Sequence, residues 1–144
     1  MYSDLYATLA VFGVFLLVLG LGIIAFFMVV NWRIFSKAGK PGWASLVPLY
    51  NIYVMSDIIF GNLNYFFAVL ITWAVSLIGI FTEISLLSNL AGVASLILSI
   101  FYFIKLSKVF GKSGGFVVGT VLLPLIFLPI LAFGKAEYIG PHNN

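Results

Sequence analysis

Residues Ala7 to Val30 read ATLAVFGVFLLVLGLGIIAFFMVV, 24 residues without a charge. As a helix this run is about 36 Å long, more than the roughly 30 Å of a bilayer's hydrocarbon, so it can span with some tilt. A cleaved signal peptide fits poorly. The run is too long, its upstream flank carries Asp4 and no Lys or Arg, and the charges follow it. The reading is a retained first transmembrane helix with its N-terminus outside.

Composition agrees with lipid as the solvent. Of 144 residues, 63% are hydrophobic and 8% are charged, against about 25% charged in an ordinary soluble domain. Cysteine is absent, which removes disulfides, thiolate nucleophiles and Cys metal sites. The net charge of +3 comes from cations beside apolar runs and not on a polar domain, so nothing supports nucleic-acid binding.

Working outward from the first run, Asn31–Trp43 (NWRIFSKAGKPGW) carries Arg33, Lys37 and Lys40 on one helical face, then Gly39, Pro41 and Gly42 break the helix. Trp32 and Trp43 are placed as interfacial anchors. Residues 44–62 are apolar but short and are interrupted by Pro48, Asn51 and Asp57, the pattern of an interfacial or re-entrant segment. Spans two and three are expected at 63–81 and 87–106, joined by a turn holding Thr82, Glu83 and Ser85. A second basic segment follows with Lys105, Lys108 and Lys112. A last span at 116–133 contains Pro124 and Pro129 and should be kinked.

Charge placement arbitrates the topology. If 44–62 does not cross, six of the seven Lys and Arg residues share one side, with only Lys135 opposite. If it crosses, the two basic segments fall on opposite sides. The positive-inside rule favours the first arrangement. The expected fold is an all-α integral membrane domain over 1–144. It has four transmembrane helices plus one short interfacial or re-entrant Pro-containing helix. Both termini lie outside the cell (inner or plasma) membrane, and the basic loops are cytoplasmic. A faint repeat joins Lys37–Trp43 to Lys108–Phe116, each leading into a proline-containing apolar segment.

Few residues offer chemistry. Thr72, Ser76, Gly79 and Glu83 share one face of span two, and Ser88, Gly92, Ser95, Ser99 and Tyr102 share one face of span three. Such stripes pack helices closely, or line a polar path. Gly115 and Gly119 form a GxxxG pair suited to a contact within the chain or between copies. Tyr50, Tyr53 and Asp57 fall on one face of a helical 44–62 segment, where a head-group, ion or proton site is conceivable; an interfacial Asp57 paired with a lysine is the plainer alternative. Arg33, Lys37, Lys40, Lys105, Lys108 and Lys112 suit anionic lipid head groups, at about 1 kcal/mol each. Gly111-Lys112-Ser113 lacks the first glycine of a P-loop, since position 106 is Leu106. There is no HExxH, and the lone His142 sits in the polar tail, so catalysis is not expected and no cofactor is implied.

WRIFSKAGKPGW with ASLVPLYNIYV, then KVFGKSGGF and LPLIFLPILAFGKAEY, resembles a family of small bacterial membrane proteins of unknown function. The likeness covers roughly Trp32 to Tyr138. Similar segments are also joined to type I signal peptidases, but the catalytic domain of that enzyme is not in this chain, so no peptidase activity is implied. The resemblance implies a bacterial membrane setting. Three roles remain open: an accessory or scaffold subunit beside a larger membrane partner, a small oligomeric transporter or channel, and an anionic-lipid-binding protein.

Overall fold

The computed structural model describes residues 1–141, and His142 lies outside them. Six α-helices and one 3-10 turn make up the described chain: α1 (Tyr2–Lys37), the 3-10 turn (Gly42–Leu46), α2 (Tyr50–Phe60), α3 (Asn64–Phe81), α4 (Ser85–Val109), α5 (Gly115–Leu122) and α6 (Pro124–Phe133). Among the described residues, only α1, α3 and α4 are long and apolar enough to cross a membrane. They are about 54, 27 and 37 Å long, whereas α2, at about 16 Å, reaches half-way at most.

α1 and α4 end in the same way. At α1, Gly39 takes a φ of 74° and the Lys40 amide returns to the Phe35 carbonyl at 3.0 Å. At α4, Gly111 takes a φ of 70° and the Lys112 amide returns to the Ser107 carbonyl at 2.9 Å. Glycine reaches this left-handed conformation without a Cβ clash, and the back-bond satisfies a carbonyl the helix would otherwise leave open. Packing then crosses over between the two halves. α1 packs on the 3-10 turn that follows it and on α6, while α4 packs on the α5 that follows it and on α2. The faint sequence repeat thus coincides with a repeat in local structure and in contacts.

The stretch 116–133 is not the single kinked span that its length suggests. Leu123 breaks it with φ −132° and ψ 59°, because the residue before a proline is disfavoured in the α region and Pro124 has no N–H to continue the ladder. α5 and α6 then fold against each other: Phe116 and Phe127 meet edge to face at 5.2 Å, and Gly119 lies directly under the Phe127 ring. The chain returns to the end it left. The Ile139 amide donates to the Val109 carbonyl at 2.7 Å, and the Tyr138 hydroxyl donates to the Ile58 carbonyl at 2.7 Å. Lys135 to Ile139 therefore share an end of the molecule with the close of α4, not the opposite one.

The buried core sits at that end. Val30, Ile34 and Phe35 of α1 pack with Ala44, with Val54, Ile58 and Ile59 of α2, with Leu106, Val109 and Phe110, and with Leu131 and Ala132 of α6. The α3–α4 hairpin extends away from it. Gly79 allows a close approach of these helices, since a Cβ there would meet Ser88. Gly92, on the facing stripe, has open space around its Cα.

Candidate functional site at the basic end

Each half contributes cations to one surface. The Lys37 ammonium donates to three carbonyls, Leu131 at 2.7 Å, Gly134 at 2.8 Å and Ala136 at 2.9 Å. These belong to the last turn of α6 and the residues after it, where carbonyls lack intrahelical partners and the helix dipole favours a cation. Sequence reasoning placed Lys37 among lipid contacts; its ammonium is instead committed to the protein. Arg33 lies over the Phe133 ring at 5.9 Å, and Lys112 over Phe116 at 5.4 Å. Lys105 is half-buried near the end of α4, and Lys108 is exposed.

The second cluster centres on α2. The Lys40 ammonium donates to Asp57 Oδ2 at 2.6 Å, with the two side chains 38% and 48% exposed. The hydrogen bond that the Lys40 ammonium donates to Asp57 holds its pKa above the ordinary value of 10.5. A raised folded-state value means that deprotonation of the lysine takes nothing from the pair below pH 10.5 and removes its contribution only as pH climbs through the raised value. Beside the pair, Trp43 stacks on Tyr50 with ring centroids 5.7 Å apart, and Tyr50 on Tyr53 at 5.9 Å; Phe66 of α3 closes the row edge-on at 5.7 Å. A cleft of about 370 Å³ opens between Lys40, Tyr50, Tyr53, Asp57, Gly61 and Asn62. The structure thus brings Tyr50, Tyr53 and Asp57 together, and adds Lys40 and Asn62, which sequence periodicity on one helix had no means of adding.

A second cavity, about 260 Å³, lies between α2, α3 and α4. Thr72, Ser95, Ser99 and Tyr102 of the two small-residue stripes line it, with Asn51 and Tyr65. Thr72 and Ser99 donate their hydroxyls to carbonyls one turn back, Ala68 at 2.7 Å and Ser95 at 2.8 Å. Ser76 is half-buried and is not part of the lining. Of the GxxxG pair, Gly119 meets Phe127 of its own chain, and Gly115 faces open space.

Tyr138 is the residue that sequence reasoning missed as a structural group. Its ring meets Phe110 at 5.6 Å while its hydroxyl caps α2 at Ile58. Burial pushes the phenol's pKa up, which keeps it a donor. An aromatic residue in an otherwise polar tail was the available signal. Among the described residues, no three His, Cys, Asp or Glu side chains are grouped as a metal site.

The residues gathered at this end, from Trp43 through Lys112 to Tyr138, fall within one family match. The family model, described as a family of unknown function (DUF5684), matches residues 43–141. The chain belongs to that family. No curated protein and no solved structure matches it. The family segment starts at the 3-10 turn, so α2 to α6 lie wholly inside it and α1 wholly outside it.

Proposed function

We propose that the chain is a non-enzymatic, three-pass accessory protein of the bacterial cell membrane, using α1 to dock on a larger membrane partner. α1, α3 and α4 cross. α2 and the α5–α6 hairpin enter from the cytoplasmic face and return to it. At about 12 and 15 Å, α5 and α6 each reach only the middle of the hydrocarbon. All seven Lys and Arg residues then lie on the cytoplasmic side, while Asp4 and Glu83 lie outside. That charge separation follows the positive-inside rule more fully than a four-span arrangement, which strands Lys135.

Because the chain has no cysteine, single-cysteine labelling reads this topology cleanly. Glu83→Cys is expected to react with a membrane-impermeant maleimide in intact cells. Glu137→Cys is expected to react only after permeabilisation, and its labelling in intact cells would restore the fourth span.

The observation that carries the accessory reading is α1 itself. Its first buried residue is Val30, and nothing before Phe26 joins the core or a ring pair. Lipid tails are as apolar as the helix, so any association of such a span with another helix rests on close packing. Gly13, Gly20 and Gly22 leave open space on it for that approach. A different protein fits better than a second copy, because a symmetric parallel pair along α1 would set Asp4 against Asp4 and Arg33 against Arg33. With a photo-crosslinking residue at Leu16, one discrete hetero-adduct is expected in native membranes, and Gly20→Leu should abolish it while helical content stays unchanged. Adducts to lipid or to the same chain alone would sink the reading. A transport path is poorly supported, since Thr120 is the only polar side chain between Phe116 and Phe133 and its hydroxyl is bonded to the Phe116 carbonyl.

A further inference from the structure

From the cleft at Lys40 and Asp57 we infer that the protein binds the head group of a zwitterionic phospholipid bearing a primary ammonium, the phosphoethanolamine type. The inference is independent of what docks on α1.

Charge selects the class. The cleft holds one cation and one anion joined at 2.6 Å, so its formal charge is zero. An anionic head group entering it would meet Asp57 as well as Lys40, and a simple cation would meet Lys40 as well as Asp57. A zwitterion meets neither penalty. Its ammonium sits on the carboxylate, whose Oδ1 has no protein partner among the described residues, and its phosphate takes the N–H groups of Lys40 that do not bond Asp57. The four charges then alternate in sign around a ring, each with two opposite neighbours. Tyr50 and Tyr53 line the same cleft, and among the described residues their phenol hydroxyls make no hydrogen bond to protein; Asn62, whose amide is bonded to the Phe60 carbonyl and the Asn64 amide, closes the rim.

The aromatic row selects the ammonium. Recognition of a quaternary ammonium uses open ring faces that surround it. Here Trp43, Tyr50 and Tyr53 stand nearly parallel in one row, at interplanar angles of 17° and 12°, so their faces do not surround a common point. The carboxylate is left as the contact for the nitrogen, and it rewards N–H donors that choline lacks. Position selects the lipid over a free metabolite. Trp43, Leu46, Val47 and Leu49 are all exposed on the segment that leads into α2, an apolar shoulder suited to acyl chains.

The test uses the full chain, purified in mild detergent, stripped of lipid and given an equimolar mixture of phosphatidylethanolamine, phosphatidylcholine and phosphatidylglycerol, with retained lipid read by native mass spectrometry. Phosphatidylethanolamine is expected to be retained about five-fold over phosphatidylcholine, the scale of one partly exposed charge contact. Asp57→Asn should bring the two to parity. Should that variant fold poorly, the wild-type chain reads the same contact through the lipid: retention should fall stepwise across the N-methyl series from the primary to the quaternary amine. Equal retention along that series, or strongest retention of phosphatidylglycerol, would overturn the inference. Displacement of the lipid by free O-phosphoethanolamine at equal concentration would overturn the lipid assignment.

Discussion

Replacing Lys37 with methionine is expected to lower the unfolding midpoint of the detergent-solubilised protein by on the order of 10 °C. The ammonium donates to three carbonyls that belong to the end of α6 and the start of the tail. Charge-assisted hydrogen bonds of this kind contribute about 1.5–3 kcal/mol each when well shielded. The group is only half-buried, so a net loss of about 3 kcal/mol is the better figure, and for a chain of this size that corresponds to roughly 10 °C. Methionine keeps the apolar stem against α6 and removes the donors, so packing is not the variable. The loss should also be local: amide exchange across 131–139 should rise before exchange in α3 and α4 does. Lys37→Arg should recover part of the stability, because a planar guanidinium fork cannot aim at three carbonyls converging on one point. A midpoint within about 2 °C of wild type for the methionine variant would mean that the three bonds do not hold α6 to α1.

That lysine also marks where sequence reading runs out. A cation after an apolar run suits a head group, and it suits the end of another helix equally well. The deciding partner, the Leu131 carbonyl, lies 94 residues away in the chain. Asp57 and Lys40 present the same difficulty on a smaller scale. Helical periodicity groups Asp57 with Tyr50 and Tyr53, but the lysine that joins them comes from beyond the Pro41 break. What was legible was whatever depends on local composition: the apolar runs at 7–30, 63–81 and 87–106 coincide with the cores of α1, α3 and α4. The glycine-rich basic segments were legible as breaks too, and their identical caps follow from glycines at Gly39 and Gly111. The small-residue stripes showed which faces are smooth without showing what covers them, so Gly79 meets Ser88 while Gly92 meets nothing. The fourth span was left undecided for a related reason. Eighteen apolar residues at 116–133 are long enough to cross, and length alone does not tell a bend from a reversal.

The reversal can be tested through Gly119 and Phe127. Gly119→Leu is expected to destabilise the protein by about 1–3 kcal/mol, the usual cost of forcing extra carbons into a filled space, because the new Cβ would fall inside the Phe127 ring. Phe127→Ala alone leaves a gap beside Gly119 and Phe116 and should also destabilise. Together the two changes should cost less than their sum, since the leucine enters the space the ring vacates. A coupling of about 1–2 kcal/mol is expected from a double-mutant cycle on residues in direct contact. The alternative gives a different number. In one continuous helix, positions 119 and 127 are about 12 Å apart along the axis, too far for their side chains to compete for the same volume. Additivity within about 0.5 kcal/mol would therefore favour a kinked span over a hairpin, and with it the return of the tail to the far side of the membrane. Strong coupling would keep the hairpin, whose returning chain Lys37 and Tyr138 hold to α1 and α2.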